Sequence, residues 1–253
     1  MRRISVRLLL AFSALIALTP NGRVQAAELK LMVTNGTRAI VDELGPQFER
    51  ATGHKLVIKY EGSPFLQKAI EGGEGFDIVL LTVESMDAIA KAGKIDTSAR
   101  KIVARSGIGV AMRAGAQKPD ITTSEAFKRA MLSAKSIAYV TVGTSGRHFI
   151  AMCERLGIAE EVKAKGKTKP SGNVAEFVAN GDAELAIQQV SELLSVAGIE
   201  LVGPLPPELQ LLTVFTAAIA AHSPAPDAAK AFIGFIGTPE ALAVIKSKGM
   251  EPG

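Results

Sequence analysis

The chain has 253 residues, 47% of them hydrophobic, with one cysteine, three histidines and a formal net charge of +4. That length fits one large domain or two small ones, and the lone Cys153 excludes an intramolecular disulfide or a cysteine-rich metal site. The positive charge is local: residues 1–26 hold Arg2, Arg3, Arg7 and Arg23 and no acid, so the rest of the chain balances 25 basic against 25 acidic residues, without the basic face that nucleic-acid binding needs.

The first segment, MRRISVRLLLAFSALIALTPNGRVQA, has an arginine-rich start, an apolar run from Leu8 to Leu18 and a small-residue ending. This is the three-part pattern of a secretory signal, expected to be removed before Ala27. The apolar run is shorter than the roughly 20 residues that span a bilayer. A periplasmic location is expected.

Strand and helix patterns then alternate. ELKLMVT reads as a strand, and GTRAIVDELGPQFERATG as a helix broken near Pro46 and closed by Gly53. KLVIKYE is a second strand, SPFLQKAIEGG a short helix with Pro64 in its first turn, FDIVLLT a third strand and ESMDAIAKAG a third helix. Such alternation argues for parallel sheet covered by helices. KIVARSGIGVAMRAG breaks the rhythm as a long extended stretch. Alternation resumes with a helix near Thr123 to Ser133, strand SIAYV, helices GRHFIAMCERLG and GNVAEFVANG, strand AELAIQQ and helix SELLSVAG. LQLLTVFTAAIAA is a second long extended stretch, and two helices, PDAAKAFIGFIG and PEALAVIKSKGM, close the chain. The pattern predicts two lobes joined by two crossing strands: residues 27–107 with 215–253, and residues 108–214. Gly107 and Gly109 are expected to absorb the torsion of a hinge between them.

In open parallel sheets, ligands sit beyond the carboxyl ends of strands. Those ends here are Thr34-Asn35-Gly36-Thr37-Arg38, Glu61-Gly62-Ser63-Pro64, Thr82-Val83-Glu84-Ser85, Gly143-Thr144-Ser145-Gly146-Arg147 and Gln188-Gln189-Val190-Ser191. Taken singly, Ser, Thr and Asn at such places are most often helix caps. Gathered on one edge, the helix starts would form an anion seat. GTSGRHF lacks the spacing and lysine of a phosphate loop and the G-x-S-x-G of a nucleophile elbow. A Ser145–His148 nucleophile pair stays open, although nothing in the sequence orients the histidine. Arg38 and Arg147 could each grip a carboxylate through two parallel bonds. His54, His148 and His222 are scattered, so no metal and no cofactor is expected.

The segments MVTNGTRAIVDELGPQFERATGHKL, YEGSPFLQKAIEGGEGFDIVLLT, VTVGTSGRHF and GDAELAIQQVSELL resemble the periplasmic solute-binding proteins of ABC importers, in their molybdate-binding-like branch, from about Glu28 onward. The resemblance implies the type II two-lobed α/β fold, each lobe a parallel-rich sheet flanked by helices, with the ligand cleft between the lobes. It also implies a small anionic ligand, an inner-membrane permease as partner and a monomer. The family's hydroxyl and amide contacts correspond to Asn35, Gly36 and Thr37, to Ser63 and to the Thr144–Ser145 loop, with Gln189 where the family has a tyrosine. Arg38, Thr82, Gly146 and Arg147 complete the expected ligand-binding set.

Two arginines across a cleft suit an extended carboxylate better than a compact dehydrated oxyanion, and Glu61, Glu84 and Glu192 near the same edge would repel a bare dianion. An organic carboxylate is therefore expected in preference to molybdate. The resemblance extends to a periplasmic aconitate isomerase on this fold, which shifts a proton across an allylic tricarboxylate. For that chemistry Glu61, Glu84 and His148 are the candidate bases, and binder and isomerase both stay open.

Overall fold

The computed structural model describes residues 26–253, so the expected export signal lies, apart from its last residue, outside the described residues. The first strands and helices are β1 (Glu28–Thr34), a 3-10 turn (Asn35–Thr37), α1 (Arg38–Thr52), β2 (Lys55–Glu61), α2 (Ser63–Glu71), β3 (Ile78–Thr82) and α3 (Val83–Lys91). β4 (Ile95–Ser106) crosses to the second lobe. There the chain forms β5 (Ile108–Arg113), α4 (Ser124–Ser133), β6 (Ile137–Val140), α5 (Thr144–Arg155), α6 (Ala159–Ala164) and β7 (Gly166–Lys169). It continues through α7 (Ala175–Asn180), β8 (Leu185–Gln189), α8 (Val190–Leu193) and β9 (Ile199–Pro204). β10 (Thr213–Ala220) returns to the first lobe, which α9 (Pro226–Ile236), α10 (Pro239–Ser247) and β11 (Glu251–Pro252) complete.

Two sheets result, in the orders β11-β4-β10-β3-β1-β2 and β7-β6-β8-β5-β9. β1 is parallel to β2 and β3, and β6 is parallel to β7 and β8. The strands that arrive from the other lobe run the other way: β10 is antiparallel to β3 and to the departing β4, and β5 to β8 and β9. Each lobe is thus a mixed sheet, because a segment entering a lobe from its partner must oppose the strands whose carboxyl ends face that partner.

Helices cover both faces of each sheet, which is why the central strands read as unbroken apolar runs. All five residues of β3 are buried, and successive side chains face opposite sides. Ile78 and Leu80 join Phe48 and Phe232 in one cluster; Val79 and Leu81 join Leu66 and Met86 in the other. The second lobe repeats this, with Ile187 on Phe127 and Phe149 and Ala186 on Val174 and Val178.

Two sequence expectations are corrected. α1 is not broken at Pro46 but continues through it. Ile40, Val41, Leu44 and Phe48 are buried on one face while Pro46 is exposed, so the carbonyl deprived of its partner can turn to water. Gly109 is not at the crossing: it lies inside β5, paired with Gln188 and Pro204, and a Cβ there would stand 2.9 Å from Val190 and 3.0 Å from the Gly203 carbonyl. Close packing, not torsional freedom, requires that glycine. The crossing itself is braced by Gln210, whose Oε1 accepts from Ile108 N at 2.8 Å and whose Nε2 donates to Ile108 O at 3.0 Å.

Candidate functional site

The carboxyl ends of β1, β2 and β3 face those of β6, β7 and β8 across the gap between the lobes. The gap holds a cavity of about 50 Å³, a few times the roughly 10–15 Å³ one water needs on the same measure. From the first lobe, Thr34, Asn35, Gly36, Ser63 and Thr82 line it, with Thr213 and Phe215 of β10. From the second come Gly143, Thr144, Ser145, Ser171, Gly172, Gln188, Gln189 and Glu192.

Its floor is a hydroxyl relay. Ser63 Oγ donates to Thr34 Oγ1 at 2.8 Å and accepts from Thr82 N at 3.2 Å. Thr34, having accepted, keeps its own proton to donate. Thr37 is buried behind this relay, its hydroxyl donating to Thr34 O at 3.1 Å, and does not line the cavity. Gly36 is packed so that a Cβ would stand 2.5 Å from the Phe215 ring. Its carbonyl accepts from Ser191 Oγ of the other lobe at 2.8 Å.

The hydroxyls at the helix starts are not caps. α2, α3, α5 and α8, which begin at the cleft, have no side-chain cap hydrogen bond. Side-chain caps do occur elsewhere, at α4 (Thr123) and α10 (Thr238), although α6 and α9 also begin without one. First-turn N–H groups have no intrahelical partner and carry a partial positive charge. The cleft therefore gathers uncapped helix starts and neutral hydroxyls.

Among the described residues no lysine or arginine lines this cavity, and Glu192 is its one ionisable group. Gln188 holds Glu192 in place: its Nε2 donates to Glu192 Oε1 at 2.8 Å and to Gly172 O at 2.9 Å, and its Oε1 accepts from Val174 N at 2.9 Å. Desolvation pushes the Glu192 carboxyl up to about 8, against the lowering pull of the Gln188 amide and of Lys169.

Asn35, Gly36, Ser63, Thr82, Thr144, Ser145 and Gln189 are thus brought together. Gln189 is spent within the protein. With its NH2 toward Ser106 O (3.1 Å) and Gly107 O (3.3 Å), its carbonyl accepts from Thr213 Oγ1 at 2.6 Å, tying the two crossing segments together. Gly146 lies beneath the end of β6, where a Cβ would meet Val140 O at 2.0 Å.

The arginines and three expected bases are placed differently. Arg147 does not reach the cavity; it pairs with Glu84 of the other lobe, Nη2 to Oε2 at 2.6 Å, which withdraws both from the cleft. Arg38 lies over the Tyr60 ring, 4.7 Å from its centroid, with Nε 3.3 Å from Asp42. His148 Nε2 is bound to Leu209 O at 2.7 Å, so it neither activates Ser145 nor faces the cavity. Glu61 stands just outside, accepting from Gly62 N at 2.8 Å and from Ser171 Oγ, which in turn accepts from Asn35 Nδ2 at 3.2 Å. Among the described residues, no group of three or more His, Cys, Asp or Glu could hold a metal ion.

Ser171 and Gly172 escaped the sequence reading because GKTK, β7, carries no apolar alternation. Recognised as a strand, it would have marked Pro170-Ser171-Gly172 as a further strand end.

Residues 29–251 match the family described as bacterial extracellular solute-binding protein. The aconitate isomerase of a Pseudomonas species is 30% identical over 250 residues, covering 97% of this chain and 94% of that protein. The molybdate-binding protein ModA of Azotobacter vinelandii is 26% identical over 234 residues, 89% of this chain and 90% of that one. The solved structure of the Azotobacter vinelandii periplasmic molybdate-binding protein shares the fold, with a TM-score of 0.75 at 21% identity over 89% of this chain and 99% of its own.

Proposed function

Because the chain is a ModA-like member of the bacterial extracellular solute-binding protein family, we propose that it captures a small organic carboxylate between its lobes in the periplasm. It then delivers the ligand, as a monomer, to the permease of an ABC importer. Residues 27–107 with 215–253 form one moving body in this reading, and residues 108–214 the other. Asn35, Gly36, Ser63, Thr82, Thr144 and Ser145 are the ligand contacts, joined by Thr34.

The observation that carries the reading is the cavity wall itself: neutral hydroxyls and uncapped helix starts on both lobes, with the Glu192 carboxyl among them. Oriented N–H groups and hydroxyls hold an anion without a counter-charge. A molybdate-type dianion offers only acceptor oxygens, so it would be accepted while Glu192 keeps its proton and opposed once that carboxyl ionises as the pH rises past about 8. An organic acid can set a carboxylate on the helix starts and turn a hydroxyl or hydrocarbon part toward Glu192.

A thermal-shift panel tests this, since a ligand at a hundred times its dissociation constant stabilises by about 2.7 kcal/mol. Di- and tricarboxylates should raise the melting temperature more than molybdate or sulfate. A shift with molybdate and none with carboxylates would overturn the preference.

A second reading is proton transfer within an unsaturated tricarboxylate. It is supported by the 30% identical aconitate isomerase and by Glu192, brought near the pH at which one carboxyl both takes and gives a proton. Glu192 replaces Glu84 and His148 as the candidate base. Proton NMR of trans-aconitate incubated with the protein would show the cis isomer accumulating; unchanged spectra would leave capture alone.

A further inference from the structure

A second chamber, of about 160 Å³, adjoins the hydroxyl-lined cavity, and Asn35, Gly172 and Glu192 line both. The chemistry changes across that shared wall. The inner cavity has no cationic side chain among its lining residues, whereas the outer chamber has one from each lobe, Arg38 at the start of α1 and Lys169 at the end of β7.

Both cations are held in position, Arg38 from outside the chamber and Lys169 partly by Glu176, which itself lines it. The Arg38 guanidinium rests over Tyr60 and is bound to Asp42 through Nε, at the root of its fork. Lys169 Nζ lies 5.5 Å from the Phe177 ring centroid and 2.9 Å from Glu176 Oε2. Aromatic faces stabilise such cations without neutralising them. The carboxylate partners, Asp42 and Glu176, are more than half exposed. Exposed ion pairs of this kind contribute little to stability, so an arriving anion can share or displace them. On the wall between the chambers, the Gln188 bond fixes Glu192.

We propose that this outer chamber is the subsite for a second acidic group, carboxylate or phosphate, of a ligand whose first acidic group occupies the inner cavity. The inference rests on the anion-capture reading and deepens it. The inner cavity sets affinity for one anionic head, and Arg38 with Lys169 selects ligands that carry two. A monofunctional anion leaves both cations unused.

Titration calorimetry on the protein, on Arg38→Gln and on Lys169→Gln tests the assignment, with acetate and sulfate as monofunctional probes and succinate, glutarate and phosphonoacetate as bifunctional ones. The bifunctional probes should bind the parent more tightly than the monofunctional ones. Each variant should weaken them tenfold or more while keeping the parent's melting temperature without ligand. Preference for phosphonoacetate over succinate identifies the second group as phosphate-like, and the reverse as carboxylate. Variants that bind the bifunctional probes within twofold of the parent would overturn the subsite, as would monofunctional probes binding as tightly as bifunctional ones. Failure of every probe to bind would instead remove the anion-capture reading, and the subsite with it.

Discussion

Arg147 and Glu84 meet across the mouth of the cleft, one from α5 and the other from α3, with 2.6 Å between Nη2 and Oε2. Their side chains are 46% and 72% exposed, so the pair fastens the lobes from outside and does not touch what lies within. Exposed pairs contribute about 0–1 kcal/mol and weaken with salt. Arg147→Ala should therefore lower affinity for a bound carboxylate no more than about fivefold. Calorimetry at low and high ionic strength checks this: the deficit should shrink with salt, and a hundredfold loss would return Arg147 to the ligand.

Ser63→Ala should act on fold and site together. The hydroxyl is buried, and its loss leaves Thr34 and the Thr82 amide without their shared partner. A stranded buried polar group costs about 1–3 kcal/mol. Urea unfolding should show that loss without ligand, and titration should show weaker binding. A variant as stable as the parent would mean that the relay is not a structural unit.

Glu192 should give the protein an inverted pH dependence over one window. Its folded value is about 8, against an ordinary 4.5. Between those values the folded state keeps a proton that the unfolded chain has released. Stability is thus fully present below about pH 4.5 and is lost as pH rises toward 8, by at most about 1.4 kcal/mol per pH unit for one group. Glu192→Gln should flatten that slope and be the more stable form at pH 8. Urea midpoints at pH 5 and pH 8 decide the matter, and parallel slopes in parent and variant would refute it. The lowered carboxyls of Glu49 and Glu208 act in the opposite sense, below their ordinary values, and so in a separate window.

Gly146→Ala should be the costliest small change near the cleft. The added Cβ would stand 2.0 Å from a backbone oxygen of Val140, which cannot rotate away. Overpacking costs about 1–3 kcal/mol even where side chains can yield. Denaturant melts should place this variant at or beyond the upper end. Gly53→Ala, with open space around it but φ of +78°, should show only the smaller cost of a left-handed backbone.

The central strands were legible because burial on both faces demands contiguous apolar residues, as in the IVLL of β3 and the LAI of β8. Of the edge strands, KLVIKYE of the first sheet was legible, but the two edges of the second sheet were not. GKTK is mostly exposed, IELVGP mixes charge with glycine and proline, and neither shows a period. In the cleft, the hydroxyl-bearing strand ends could be read because topology alone places them there. Arginine direction could not: Arg147 is two residues past buried Ser145 on α5, enough of a turn to face outward, and Glu84 is met only through tertiary packing. Glu192 was visible as an acid near the edge. Its protonation was hidden, since desolvation depends on what Gln188, Lys169 and the opposite lobe bring to it.

The bare starts of α2, α3 and α5 have a kinetic consequence. An anion seated there completes the first turns of helices belonging to both lobes at once. To leave, it must surrender those N–H groups, and water can replace it only once the lobes have parted. In the proposed capture by two moving lobes, departure of the ligand and separation of the lobes would then be a single event with one barrier. The residence time of the anion becomes the clock for the shape of the whole molecule.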